Sequence, residues 1–276
     1  IERQGVAGGS CFINLSEPIK PYKSIKLDGD YTFERVAMAD LDGDGNQDFV
    51  VKYPGGNVDP WYLYWKPSPG TYKLEAYKST GEKLWNYDLG WAIEQGTWYS
   101  PYLVYDFNGD GKAEIAVKSG ESDPRNKEGK VVSGPEYLSI LDGLTGKEIA
   151  KADWIPREPF LEANKEHAYN YASRNQLAVA YLDGIHPHIL VLRGTYNLMM
   201  VRAYRLEGNS LKLVWDWDNM NLRDKSNNYW GQGGHWTLAA DVDDDGFDEV
   251  IHGYCALDPN GTALWTTGLG HPDAGY

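Results

Sequence analysis

The chain has 276 residues, a net charge of −14 and a pI near 4.8, which argues against nucleic acid or an anionic membrane surface as its main partner. No apolar run approaches the roughly 18 residues that would span a bilayer, and the length suffices to bury a large core in one repeat-built domain. The chain opens on Ile1 without a signal peptide, as expected of a mature exported protein or a trimmed one.

Taken in order, residues 1–31 offer a short strand at 11–15 and the turn signals Glu17-Pro18 and Asp28-Gly29-Asp30. The two cysteines, Cys11 and Cys255, lie near opposite ends, and a bond between them would tie the first strand to the last repeat; one pair leaves this open. Residues 36–53, VAMADLDGDGNQDFVVKY, form an apolar strand, an acidic Gly-bearing loop and a second apolar strand. Residues 102–119 (YLVYDFNGDGKAEIAVKS) and 237–254 (TLAADVDDDGFDEVIHGY) repeat that layout. A fourth copy at 177–194 (LAVAYLDGIHPHILVLRG) keeps the strands and Asp183-Gly184 but not the other acids. Each unit is followed by a two-strand hairpin pattern, at 72–90, 137–155, 201–218 and 254–270.

Equivalent loop positions Asp40, Asp106, Tyr181 and Asp241 lie 66, 75 and 60 residues apart. Four strands per unit at that spacing predict an all-β, calcium-rich β-propeller with blades at about 32–95, 96–160, 170–220 and 230–270. Residues 271–276 read as the start of a further blade, so the four repeats are expected to be part of a seven- or eight-bladed ring, completed by later blades or by other copies of the chain. The surplus length lies in loops 54–71, 120–136, 156–175 and 219–235, where a rigid scaffold tends to carry function. One helical turn is expected near 162–171.

The acidic loops are candidate Ca²⁺ sites. Asp40, Asp42, Asp44 and Asp48 stand at loop positions 1, 3, 5 and 9, with the carbonyl of Asn46 at 7. Asp106, Asn108, Asp110, Lys112 and Glu114 repeat the set, as do Asp241, Asp243, Asp245, Phe247 and Glu249, with Lys112 and Phe247 supplying carbonyls. Ca²⁺ takes six to eight hard oxygens, and clustering these acids without an ion costs like-charge repulsion. Three copies in register make calcium the explanation of the composition, in a structural role.

Function is expected at the opposite end, where each first strand begins. Six residues before the loop start lie Glu34, Ser100, Asn175 and His235, preceded by Phe33, Tyr99, Arg174 and Gly234. His235 follows a glycine run, WGQGGHW, that lets backbone approach a ligand. His271 and Asp273, after the last hairpin, could meet His235 to form a metal site, for which softness alone favours a transition ion. Arg174 could pair a substrate carboxylate or an interblade acid. Arg174, Asn175 and Trp236 are candidate substrate-binding residues, and Arg174 and His235 are candidates for catalysis.

The segments GTWYSPYLVYDFNGDGKAEIAVKS, VVSGPEYLSILDGLTGKE, AYLDG, GQGGH, ADVDDDGFDEVI and TGLGHPDA follow one another as in the family 11 rhamnogalacturonan lyases, which the chain resembles from about residue 31 to 275. The resemblance implies a secreted or cell-surface enzyme on an eight-bladed calcium propeller. Its substrate would be an acidic plant or algal polysaccharide, the rhamnose–galacturonate backbone of pectic rhamnogalacturonan I, cleaved by β-elimination. It also implies a cleft calcium held by His235, His271 and Asp273. The Asn-x-x-x-Arg pattern is matched weakly by Asn170 and Arg174. Family members carry a β-sandwich-like domain first and later blades with a further acidic ligand and basic catalytic residues, for which nothing corresponds in this sequence. Two other readings are a lyase on another rhamnose- and uronate-containing polymer, such as ulvan, and a non-catalytic calcium propeller for glycan binding or adhesion.

Overall fold

The structure is a computed structural model and describes residues 23–29, 31–56, 58–220 and 228–273. The expected strand at 11–15, the Cys11 side of the cysteine pairing and residues 274–276 lie outside the described residues. Within them the chain forms four antiparallel sheets, each of four strands in sequence order. The first holds β1 (Arg35–Ala39), β2 (Asp48–Tyr53), β3 (Lys73–Tyr77) and β4 (Lys83–Asp88). The second holds β5 (Tyr102–Tyr105), β6 (Glu114–Gly120), β7 (Glu136–Leu141) and β8 (Glu148–Asp153). The third holds β9 (Asn175–Ala180), β10 (His188–Arg193), β11 (Met200–Glu207) and β12 (Ser210–Asp218). The fourth holds β13 (Thr237–Ala240), β14 (Glu249–His252), β15 (Cys255–Leu257) and β16 (Ala263–Thr266).

The four sheets are copies of one another in detail. Each has a register shift at the same place in its outer hairpin, at Ala76/Tyr77, Ile140/Leu141, Ala203/Tyr204 and Ala256/Leu257. A bulge sharpens twist locally, so its recurrence gives the four units a common outer-edge geometry. The sheets neighbour each other through their first strands, β1 by β5, β5 by β9 and β9 by β13.

Side chains alternate across a strand, and here both faces are used. Ile115 and Val117 of β6 pack toward the first sheet, while Ala116 joins Ile189 and Val191 of β10. Leu190 and Leu192 of β10 turn the other way, to Val250 and Leu257. That is why HILVLR is an almost unbroken apolar run: it is buried throughout. Trp85 donates its indole N–H to the Gly143 carbonyl in the turn of the next sheet, at 2.8 Å. Trp215 does the same to Pro259, at 2.8 Å. In each turn a glycine, Gly146 or Gly261, leaves no room for a Cβ under the indole.

The outward faces of the first and last sheets are different. Val36 and Met38 alternate with Ala37 and Ala39, which pack inward, and Met38 is 62% exposed. Leu238, Leu264 and Trp265 are likewise exposed on the fourth sheet. The expected helical turn is a longer helical segment, α1 (Glu158–Asn164), a 3₁₀ turn (Lys165–His167) and α2 (Ala168–Ala172). It starts earlier than expected because Pro159 suits a first helical turn and Phe160 anchors it in the core between the second and third sheets.

Candidate functional site

The connections that precede the first strands, together with the loop after β2 and the β10–β11 loop, enclose a cleft of about 300 Å³. Asp59, Trp61 and Tyr64 come from the first sheet's long loop, Trp98 and Arg174 from the connections before β5 and β9, Tyr196 from the β10–β11 loop and His235 from the connection before β13. Arg174 is buried, and Asp59 holds its guanidinium in a fork of 3.2 and 2.8 Å. Asn170 Oδ1 accepts from Arg174 Nε and Nη2 at 3.1 and 2.9 Å. The charged plane lies near the rings of Trp98 and Tyr196, at 5.3 and 5.7 Å from their centroids. Of the two expected partners for Arg174, an acid of the protein itself is therefore present, on a residue 115 positions away.

His235, His271 and Asp273 converge, with ligand atoms within 4.8 Å of one another. His271 gives its Nδ1–H to the Gly233 carbonyl at 2.5 Å, leaving Nε2 as the free lone pair 3.3 Å from Asp273 Oδ1. A ring nitrogen donated to a carbonyl is how metal-binding histidines are commonly oriented. His235 Nδ1 is buried with no partner, and Nε2 lies 3.3 Å from the Tyr196 hydroxyl. Burial, then Arg174 and His271, push His235 down to about 4, so its imidazole is neutral at pH 7. An orphaned nitrogen, a neutral ring and a nearby carboxylate fit a cation. Tyr196 packs against His271 and Tyr171, at 4.2 and 4.8 Å between centroids, and adopts φ 83°. For a non-glycine residue that conformation is strained, and such strain concentrates at functional sites.

The glycine run before His235 serves packing rather than ligand approach. A Cβ on Gly234 would meet Gly253 Cα at 2.8 Å, and one on Gly233 would meet Met199 at 2.9 Å. Gly233 also exchanges both backbone hydrogen bonds with Tyr196, which fixes that tyrosine beside His235. Asn175 lies behind the cleft wall rather than in it. It is buried, its Oδ1 accepts from Trp154 and Arg193, and its Nδ2 donates to the Trp98 and Ser173 carbonyls. Ser100 is buried too, bonded to the Lys118 carbonyl at 2.7 Å. Trp236 is half-buried with an unpartnered indole N–H and does not line the cleft. Sequence reasoning missed Asp59, Trp61, Trp98 and Tyr196; the aromatic run PWYLYW at 60–65 was the available signal.

At the far end of the sheets the acidic loops are tightly wound. Asp40 accepts the amides of Gly43, Asp44 and Gly45, and Asp106 those of Gly109, Asp110 and Gly111. Asp241 accepts those of Asp245 and Gly246. Asp40, Asp42 and Asp48 present oxygens within 4.8 Å of one another, as do Asp241, Asp243 and Glu249. The position-5 acids Asp44, Asp110 and Asp245 each cap the amide two residues on, that of Asn46, Lys112 or Phe247. In the second loop Asn108 bonds Glu114, at 2.8 Å. Burial, then Asp110 and Asp106, push Glu114 up to about 7, and Glu249 is raised by burial and its three aspartates. Buried carboxyls raised by like charges are what a bound cation would relieve, so these donors fit Ca²⁺.

The model for "Rhamnogalacturonan lyase family 11, C-terminal domain" matches residues 13–276. The chain is 36% identical over 282 residues to the rhamnogalacturonan endolyase YesW of Bacillus subtilis, covering 92% of this chain and 45% of that protein. It is 36% identical to the rhamnogalacturonan exolyase YesX of the same organism, covering 92% and 44%. Among solved structures, the Bacillus licheniformis family PL11 rhamnogalacturonan lyase superposes with a TM-score of 0.81 at 36% identity, covering 88% of this chain and 44% of that one. The chain spans less than half the length of the relatives it matches.

Proposed function

Because the chain belongs to rhamnogalacturonan lyase family 11, we propose that it is the cleft-bearing part of a secreted or cell-surface lyase that cleaves the rhamnose–galacturonate backbone of rhamnogalacturonan I by calcium-assisted β-elimination. The observation that carries this reading is the convergence of His235, His271 and Asp273 beside Arg174 in an aromatic cleft. Under it the four sheets are consecutive blades of a calcium-rich propeller. The exposed apolar faces of the first and fourth sheets support further blades, or other copies, packing there.

A cation held by His235, His271 and Asp273 would neutralise the uronate carboxylate and so acidify the neighbouring C5 proton. The C5 proton would pass to a basic residue of the kind the resemblance implies in later blades, and the chain's own residues prepare the rest. Arg174, fixed by Asp59 and Asn170, sets a rigid guanidinium in the cleft wall beside Trp98 and Tyr196. The Tyr196 hydroxyl, kept protonated by burial, stands 3.3 Å from His235 Nε2 and can give a proton to an oxygen leaving in the cleft. Trp61, Tyr64 and Trp98 offer faces on which sugar rings stack.

The test is ultraviolet absorbance of the unsaturated uronate product, using the full protein with calcium on rhamnogalacturonan I. Cleavage is expected, and His235→Ala is expected to abolish it with little change in melting temperature. Normal cleavage by that variant, or no product from the unaltered protein, overturns the reading.

A further inference from the structure

Several segments around the cleft meet on one carboxylate that lies outside it. Glu94 sits in the connection between β4 and β5, is 2% exposed, and does not line the cleft. We propose that Glu94 is a positioning residue, which sets the shape of the cleft for its polymer by holding the segments that carry Asp59, Trp61, Tyr64 and Arg174. The lyase reading above supplies only the identity of that polymer.

The first argument is where its hydrogen bonds come from. The Trp65 indole N–H donates to Glu94 Oε1 at 2.9 Å, and the Val131 amide to Oε2 at 2.8 Å. The Tyr169 hydroxyl lies 2.7 and 2.8 Å from the two oxygens. These donors belong to three separate excursions of the chain: the long loop after β2, the loop between β6 and β7, and α2. All three are neutral groups, and a hydrogen bond to an ionised acceptor is about twice as strong as one between neutral partners. Releasing any one of them leaves the buried carboxylate short of a partner, so the three segments are held together.

The second argument is what those donors are attached to. The Trp61 carbonyl accepts the amides of Tyr64 and Trp65 at 2.9 and 3.0 Å, and Asp59 accepts the Trp61 amide at 2.8 Å. Residues 59–65 are thus one compact turn, and fixing the Trp65 indole fixes Asp59, Trp61 and Tyr64. On the other side Tyr169 precedes Asn170 on α2, and Asn170 and Asp59 together hold the Arg174 guanidinium. Glu94 therefore grips both halves of the Asp59–Arg174 pair from behind, one through Trp65 and the other through Tyr169.

Glu94 itself stays clear of the ligand. The cavity beside it measures about 20 Å³, which is room for a water molecule and not for a sugar. His235, His271 and Asp273 come from the connection before β13 and the chain after β16, and none of the Glu94 donors belongs to either. Its influence falls on the fit of the substrate and not on the cation.

The test is initial-rate kinetics on rhamnogalacturonan I with calcium, beside hydrogen exchange, for the full protein and two variants. Glu94→Gln keeps the shape but turns one acceptor into an amide NH₂ that must face either the Trp65 or the Val131 N–H. Trp65→Phe keeps an aromatic ring and removes only the N–H. Each is expected to raise KM about tenfold with kcat within about twofold, the pattern of lost substrate fit. Exchange should quicken in residues 59–65 in both variants, and also in 168–174 in Glu94→Gln, with the four sheets unchanged. The double variant should be no worse than Glu94→Gln alone, because both remove the same bond. Unchanged KM in both variants, even with a lowered melting temperature, overturns the proposal, as do a loss confined to kcat, additive effects in the double variant, or unchanged exchange in residues 59–65. The exchange readout needs no cleavage. A protein that forms no product but shows these exchange changes refutes the lyase reading and keeps the clamp.

Discussion

The second and third sheets share strands, bulge and core, yet close the loop between their first two strands by different chemistry. In the second, Asp106, Asp110 and Glu114 crowd together and Glu114 is pushed up by burial and by the two aspartates. In the third, Asp183 alone remains, and the protein supplies its donors. The His186 ring N–H lies 2.7 Å from Asp183, the amides of Ile185 and His186 bond it at 3.0 and 2.7 Å, and Arg205 stands 3.8 Å away. Burial works against the Asp183 carboxylate, but those amides and the imidazole outweigh it and hold it well below the usual range. The third loop also borrows from its neighbour. Asp248 accepts the Tyr181 amide at 2.7 Å, and Gly184 packs where any Cβ would strike the Gly246 carbonyl. One hairpin can thus be closed by an accumulated charge that calls for an ion, or by a single carboxylate satisfied internally.

Removing divalent cations should separate the two with the largest effect. Under the proposed calcium reading, chelation would leave the like charges of the first, second and fourth loops uncompensated, so a fall in melting temperature is expected, reversed by added Ca²⁺. Hydrogen exchange should localise the loosening to β1–β2, β5–β6 and β13–β14, with β9–β10 protected. Uniform loosening across all four sheets would break the contrast. A smaller effect is expected from Glu114→Gln in chelator. A carboxyl raised to about 7 in the folded chain, from an unfolded value near 4.5, binds a proton only when folded between those values. Metal-free stability should therefore fall as pH rises from about 4.5 to 7, and Glu114→Gln should flatten that part of the profile. An identical pH profile in urea melts of the variant would remove Glu114 from the account.

The sheets were legible because the acidic loop marks its two flanking strands and recurs, so four strands per repeat could be counted even where the third copy had lost its acids. The convergence of His235, His271 and Asp273 was legible from the motifs around them. What could not be read was anything set by long-range packing. Arg174 and Asp59 are far apart in sequence and meet only because the 54–71 loop folds across the first strands. Asn175 occupies an expected mouth position but is drawn inward by the Trp154 indole and the buried Arg193 guanidinium. Tyr196 carries no motif at all; a glycine two residues before His235 fixes it through paired backbone hydrogen bonds.

The smallest expected effect lies in the third loop. Asp183 and His186 side chains are 39% and 44% exposed, and an ion pair or hydrogen bond so open to water contributes about 0.2–1 kcal/mol. Asp183→Asn keeps an acceptor for the two amides while weakening the imidazole contact, so its cost should sit at the low end of that range. The sign against pH follows from the lowered carboxyl: its contribution is present above about pH 4, the ordinary unfolded value, and fades as acid is added below it. Because the loop's donors belong to the chain, the loss from Asp183→Asn should be the same in calcium and in chelator. Urea melts of the variant and the parent under both conditions, at pH 7, measure the difference directly. A loss that appears only with calcium present would mean that Asp183 also holds an ion, and the third loop would then belong with the other three.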